Sequence, residues 1–152
     1  SSGPVAGEAP PPSSASRDID ILARTIYGEA RGELVLGKVA VACVILNRVR
    51  RARDRNGRYW WGATISDVCH KPWQFSCWNA ADPNREKIEA VTPENKNFAA
   101  CLRVARRAIA GTLKDPTRGS THYHNRHVNP PWARGCAPSA DIGAHLFYNN
   151  IE

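Results

Sequence analysis

The sequence predicts a mainly helical α+β domain, and three observations carry that prediction. Apolar residues recur at three- and four-residue spacing in the first two thirds of the chain. The longest apolar run, Val39 to Leu46, is bracketed by Lys38 and Asn47 and reads as one helix buried nearly all round. Only near the end does the period change, to short aromatic runs at Thr121 to His124 and His145 to Tyr148.

The elements follow in order. Residues 1–17 are Pro, Ser, Ala and Gly with almost nothing to bury, and are expected to be a linker or an expression remnant. They show neither the basic nor the apolar segment of a secretory leader. The folded domain is expected over residues 18–152. Its first helix starts at Asp18 as N-cap, with Ile19, Leu22, Ala23, Ile26 and Ala30 as the apolar stripe and Gly32 as the stop. A second helix over Leu34 to Arg51 supplies the central core.

Asn56-Gly57 marks a turn, Thr64 to Cys69 a short helix, and His70 to Asn84 an irregular aromatic loop. Thr92-Pro93-Glu94 reads as a helix start, with Phe98, Leu102, Ala105 and Ile109 on one face and Gly111 ending it. The last two aromatic runs are expected to pair as an antiparallel hairpin across a loop containing Asn129-Pro130-Pro131-Trp132.

The chain has 152 residues, 42% of them hydrophobic and 23% charged, which suits one domain with its own core. No apolar run reaches the roughly 18 to 20 residues that span a bilayer. The formal charge of +7 favours a polyanionic partner, a class that includes nucleic acid, anionic lipid and bacterial wall. Arg48, Arg50, Arg51, Arg53, Arg55 and Arg58 cluster after the core helix; a solvated helix end with cations at its negative pole accounts for them equally well. Five cysteines form no CxxC pair: Cys69 and Cys77 flank a short segment that a disulfide could close, and Cys43 reads as a buried thiol.

Among candidate catalytic groups Glu29 stands out. On the wheel set by Ile19, Leu22, Ile26 and Ala30 it falls at the edge of the apolar stripe, where partial desolvation raises a carboxyl pKa and suits a general acid. Spacing alone favours the ordinary alternative, an acid near a helix end paired with Arg31 or Lys38. His122, His124 and His127 invite a metal reading, since 122 and 124 share a strand face, but no acid or cysteine lies nearby in sequence to complete a ligand set. No metal or other cofactor is expected.

Several separated motifs add to this. Glu29-Ala30-Arg31-Gly32-Glu33, Gly37-Lys38-Val39-Ala40-Val41, Val44-Ile45-Leu46-Asn47-Arg48-Val49, Gln74-Phe75-Ser76-Cys77-Trp78, Thr121-His122-Tyr123-His124-Asn125 and Ile142-Gly143-Ala144-His145-Leu146-Phe147-Tyr148 occur in an order that resembles the SleB/CwlJ family of cell-wall hydrolases. The resemblance spans about residues 18–149, and the region from Arg51 to Tyr59 and the Cys69-to-Cys77 segment depart from it.

The resemblance implies a lysozyme-like, lytic-transglycosylase-like fold acting on peptidoglycan glycan strands. It also implies a secreted, periplasmic or wall-associated protein, or a phage lysin reaching the wall. It carries the family's catalytic glutamate onto Glu29, and its second motif acid onto Glu33, structural or a polar neighbour of the cleft. Gln74, Phe75, Ser76 and Tyr123 are its candidate sugar-contacting residues, with Trp73, Trp78, Trp132 and Asn125 as further partners. A monomer with no nucleic-acid partner is expected.

A glycosidase with two working carboxylates needs a second acid about 5 Å from the first if retaining, or about 6.5 to 9.5 Å if inverting. Glu33, Asp67, Asp82 and Asp141 are available and none is singled out by spacing. Lytic transglycosylase chemistry needs one carboxylate only. The competing readings are a hydrolysing muramidase and, from another class, a basic module binding wall glycan or nucleic acid through the Arg and Trp residues between 48 and 61.

Overall fold

The computed structural model describes residues 13–71 and 74–151. The linker reading of residues 1–12 lies outside the described residues, as does Trp73.

Helix α1 (Ser14–Ala30) begins five residues earlier than the sequence predicts. Ser13 is its cap and accepts from the Ser16 amide, so a serine within the expected linker, and not Asp18, starts the helix. The stripe buries Leu22, Ala23, Ile26 and Ala30 as expected.

Helix α2 (Val35–Asp54) is the central element, with every residue from Gly37 to Ile45 buried. Lys38 is buried too: its ammonium donates to the carbonyls of Arg31 and Glu33, which satisfies chain ends that leave α1. The arginine cluster after the core run divides. Arg50, Arg53, Arg55 and Arg58 are exposed, but Arg48 is 5% exposed and belongs to the interior, which corrects its reading as part of a solvated end.

Helix α3 (Ile65–His70) is capped by the Thr64 hydroxyl, which accepts from the Asp67 amide. The stretch expected to be irregular holds a 3-10 turn at Ser76–Trp78, and helix α4 (Asn84–Ala90) follows it unannounced. Asp82 opens α4 by accepting from the Asn84 amide. Helix α5 (Lys96–Ile109) starts on Asn95, whose side chain accepts from the amides of Asn97 and Phe98; Thr92-Pro93-Glu94 forms the turn before it. Its buried face includes Phe98, Leu102 and Ala105, and Gly111, at φ 75°, ends it.

The two terminal aromatic runs do pair, as β1 (His122–Asn125) and β3 (His145–Tyr148), antiparallel with His122 opposite Tyr148 and Tyr123 opposite Phe147. They are not a hairpin. Strand β2 (Ala140–Ile142) intervenes and pairs on the far side of β3, giving the order β1-β3-β2, and the tight turn is Gly143-Ala144 between β2 and β3.

The main core lies among α1, α2, α3 and α5, while Phe147 of β3 packs the sheet onto Ala40 and Val44 of α2. Asn47 holds the approach to β1 by donating to Asp115 and to the Ser120 carbonyl, both at 2.9 Å. All five cysteines are free thiols, which corrects the Cys69–Cys77 pairing: both are buried as thiols, Cys69 hydrogen-bonded with Thr25 and Cys77 beside Glu29. Among the described residues no helix is long and apolar enough to cross a membrane.

Candidate active site

Glu29 lies in the last turn of α1, half-buried where α2, α3, the 3-10 turn and β1 converge. Burial pushes its carboxyl above the usual carboxylate range, and the negative charge of Asp82 pushes the same way. Hydrogen bonds from the Tyr123 hydroxyl and the Cys77 thiol, with the nearby Arg48 charge, pull against that rise. The Tyr123 hydroxyl stands 2.9 Å from Oε1. Burial and the Glu29 charge hold that phenol well above its ordinary value, so it stays a donor.

The ordinary pairing of Glu29 with Arg31 or Lys38 is not present. Arg31 donates to Asn84 and lies over the Tyr27 ring, and Lys38 is spent on backbone carbonyls. Among the described residues, no ion pair within 4.0 Å includes Glu29.

Close packing makes this arrangement. Gly28 stands where an added Cβ would come within 2.7 Å of the Cys77 sulfur, so glycine lets the 3-10 turn press directly on α1 beside Glu29. Trp78 is tied to the same helix, its indole donating to the Thr25 hydroxyl at 2.8 Å. With His70, Asn79 and Asp82, Trp78 lines an open groove of about 640 Å³.

The sequence-derived site residues separate into two groups. Tyr123 reaches Glu29, and Gln74 is half-buried with its side-chain carbonyl accepting from Arg48 at 3.3 Å. Ser76 is exposed at the start of the 3-10 turn. Phe75, expected to contact sugar, is 1% exposed with the Arg48 guanidinium over its ring; it is floor, with no face to offer a ligand.

Glu33 is turned away to the sheet. Its Oε1 accepts from the Ala144 amide at 2.8 Å and stands 3.3 Å from His145 Nδ1, bracing the β2–β3 turn where Gly143 leaves room for it. Of the two readings of Glu33, this contact set supports the structural one.

His122 and His124 share the sheet face away from Tyr123. His124 bonds the Tyr148 hydroxyl and its neighbour's carbonyl, and the half-exposed Trp132 closes over both rings. Asn125 is exposed.

Arg48 and Cys77, standing within motifs, were not read as site residues in the sequence, and Asp82 was one of four acids that spacing could not rank. Arg48 carried a signal, since it continues the stripe of Val41, Val44 and Ile45 toward Ala52, all of them buried. Cys77 and Asp82 lie in a segment with no periodicity to place them.

A half-buried acid with a raised carboxyl, next to neutral donors, is the equipment of a carboxylate-dependent hydrolytic domain. The comparisons agree with that class. The Cell Wall Hydrolase family model matches residues 32–148, and the chain belongs to that family. Glu29 lies three residues ahead of the matched stretch.

The chain is 32% identical over 142 residues to the spore cortex-lytic enzyme of Halalkalibacterium halodurans, covering 91% of this chain and 37% of that protein. It is 37% identical over 144 residues to the enzyme of the same name from Oceanobacillus iheyensis, covering 90% and 43%. This chain thus spans about two fifths of the length of those relatives.

Among solved structures, the catalytic domain of the Bacillus cereus SleB protein aligns with a TM-score of 0.64 at 31% identity, covering 96% of this chain and 98% of that one. The catalytic domain of the germination-specific lytic transglycosylase SleB from Bacillus anthracis aligns with a TM-score of 0.63 at 32% identity, covering 92% and 98%. The fold is therefore the lysozyme-like fold of the SleB catalytic domain.

Proposed function

We propose that this domain cleaves the MurNAc–GlcNAc glycosidic bond of peptidoglycan as a lytic transglycosylase, with Glu29 as acid and then base. The observation that carries the reading is Glu29 itself, raised by burial yet hydrogen-bonded by Tyr123 and Cys77. Burial favours the protonated acid that donates, and the hydrogen bonds favour the carboxylate that is left.

In the first half, the Glu29 proton passes to the glycosidic oxygen as the C1–O bond breaks, and GlcNAc leaves with a free hydroxyl. In the second, the muramoyl 6-hydroxyl oxygen bonds to C1 and its proton returns to Glu29. The product is 1,6-anhydro-MurNAc, and no water is consumed. The lytic transglycosylase name of the Bacillus anthracis structure supports this outcome. The family supports the wall as substrate, and the acidic wall suits a chain of charge +7 acting outside the cytoplasm as a monomer.

A second reading has one observation in its favour. Asp82 is the carboxylate whose charge acts on Glu29, so it is the candidate second acid of a hydrolysing muramidase. Asp82→Asn separates the two: a transglycosylase retains most of its rate, and a two-carboxylate hydrolase loses it.

The residue assignment is tested by clearing of peptidoglycan suspensions with wild type and Glu29→Gln. A positioned acid contributes roughly 10²–10⁴-fold, so less than about tenfold loss would remove Glu29 from the chemistry. Binding without clearing by the wild type would instead favour a glycan-binding module.

A further inference from the structure

Arg48 takes no part in the proton transfers above, yet it touches both segments that close on Glu29. It is 5% exposed, which is rare for arginine. Its Nε donates to the Thr121 carbonyl at 2.7 Å, and a terminal nitrogen donates to the Gln74 side chain at 3.3 Å. The guanidinium also lies over the rings of Trp61 and Phe75, at 5.2 and 5.1 Å from their centroids. Thr121 stands two residues before Tyr123, and Gln74 three before Cys77. One planar cation therefore ties together the strand that delivers the hydroxyl and the turn that delivers the thiol.

The charge matters as well as the fork. A buried guanidinium is costly unless other groups compensate it. Among the described residues no carboxylate lies within 4.0 Å of Arg48, and a carbonyl, an amide oxygen and two aromatic faces surround it instead. Glu29 is the carboxyl that acts on it electrostatically. Burial draws Arg48 down to about 10, which leaves it cationic at neutral pH.

The groups that face Glu29 are Tyr123 from β1, Cys77 from the 3-10 turn, Cys69 from α3, Asp82 from the turn before α4 and Arg48 from α2. Arg48 is the cation in that set.

We propose that Arg48 is the positioning residue of this site: its fork holds the Tyr123 and Cys77 segments against Glu29, and its charge stabilises the carboxylate that must accept the second proton. The inference rests on the reading of Glu29 given above. A lysine would keep the charge and lose the planar fork and the stacking.

The test is kcat and KM against pH on soluble peptidoglycan fragments for wild type, Arg48→Lys and Arg48→Met, with circular dichroism to check folding. In Arg48→Met the alkaline limb of kcat/KM moves up by about half a unit or more, because the carboxylate has lost its cation. Its kcat falls by about tenfold or more. In Arg48→Lys the limb stays within about 0.2 units of wild type while kcat falls by about fivefold or more.

An unmoved limb in folded Arg48→Met overturns the electrostatic role, and wild-type kcat in Arg48→Lys overturns the fork. If Arg48→Met does not fold, Arg48→Lys decides: a limb displaced from wild type, or an unchanged kcat, overturns the proposal. Glu29→Gln measured alongside keeps the two readings apart. An active Glu29→Gln defeats the assignment of Glu29, whereas an inactive one with unaltered Arg48 profiles defeats this inference alone.

Discussion

The Tyr123 hydroxyl donates to Oε1 of Glu29 across 2.9 Å, joining strand β1 to the end of helix α1 at the point where the proposed chemistry takes place. This bond favours the ionised carboxylate and works against the rise that burial imposes. Tyr123→Phe keeps the ring and removes the donor. Its kcat should fall by about tenfold, and the alkaline limb of kcat/KM should move up, since Glu29 then holds its proton to higher pH. A pH–rate profile checks both; an unshifted limb would show that the bond does not govern the titration.

Glu29 should also cost the fold stability at neutral pH. Its folded-state pKa is raised, so the protonated form is favoured on folding and that advantage disappears as pH rises from the unfolded carboxyl value through the folded one. Glu29→Gln removes the ionisation and keeps an acceptor for Tyr123. Its Tm at pH 7 should exceed that of wild type by about 2–4 °C, with little difference near pH 4. Thermal unfolding at the two pH values measures this.

Glu33 is expected to behave as a brace. Glu33→Ala strands the Ala144 amide and removes the neighbour of His145, at a cost of about 1–3 kcal/mol in denaturant unfolding. Below its unfolding temperature the variant should retain kcat and KM within about threefold. A larger rise in KM would place Glu33 in the cleft after all.

His122 makes a separate acid-stability prediction. Burial, with Arg48 and Arg51 near, lowers its pKa from 6.5 to about 4. Below pH 6.5 the unfolded chain takes up a proton that the folded chain refuses until about 4, so this residue's contribution to stability is lost as pH falls through that window. The His122 ring resonances should not titrate between about pH 7 and 5, and His122→Asn should lose less Tm than wild type over that range.

Gly28 tests the packing that delivers Cys77. Gly28→Ala puts a methyl within 2.7 Å of the Cys77 sulfur, so α1 and the 3-10 turn must separate. The variant should lose about 1–3 kcal/mol and a larger share of its activity than Glu33→Ala, read by unfolding and wall clearing together.

The sequence announced the helical part of this domain because its signals are periodic. The apolar stripe of α1 and the all-round burial of α2 follow from residue spacing alone, as does the placing of Glu29 at the stripe's edge. Boundaries slipped where short polar side chains competed for the cap: Ser13 outran Asp18, and Asn95 outran Thr92. Helix α4 and the turn carrying Cys77 left no trace because seven-residue and three-residue elements show too little periodicity to be seen. Strand β2 escaped for the same reason.

Phe75 and Arg48 show the other limit. A motif groups residues along the chain, but which of two neighbours faces the cleft and which supports it depends on packing between elements. The phenylalanine went inward, and an arginine, typed as solvated by its charge, went in above it.

The central claim is that Glu29 breaks a glycan bond with the substrate's own hydroxyl as nucleophile. Mass spectrometry of muropeptides released from purified peptidoglycan tests it most directly, with Glu29→Gln as control. The account predicts products ending in 1,6-anhydro-MurNAc with wild type and none with Glu29→Gln. Reducing MurNAc ends without anhydro-muropeptides would contradict it and leave a water-using muramidase in its place.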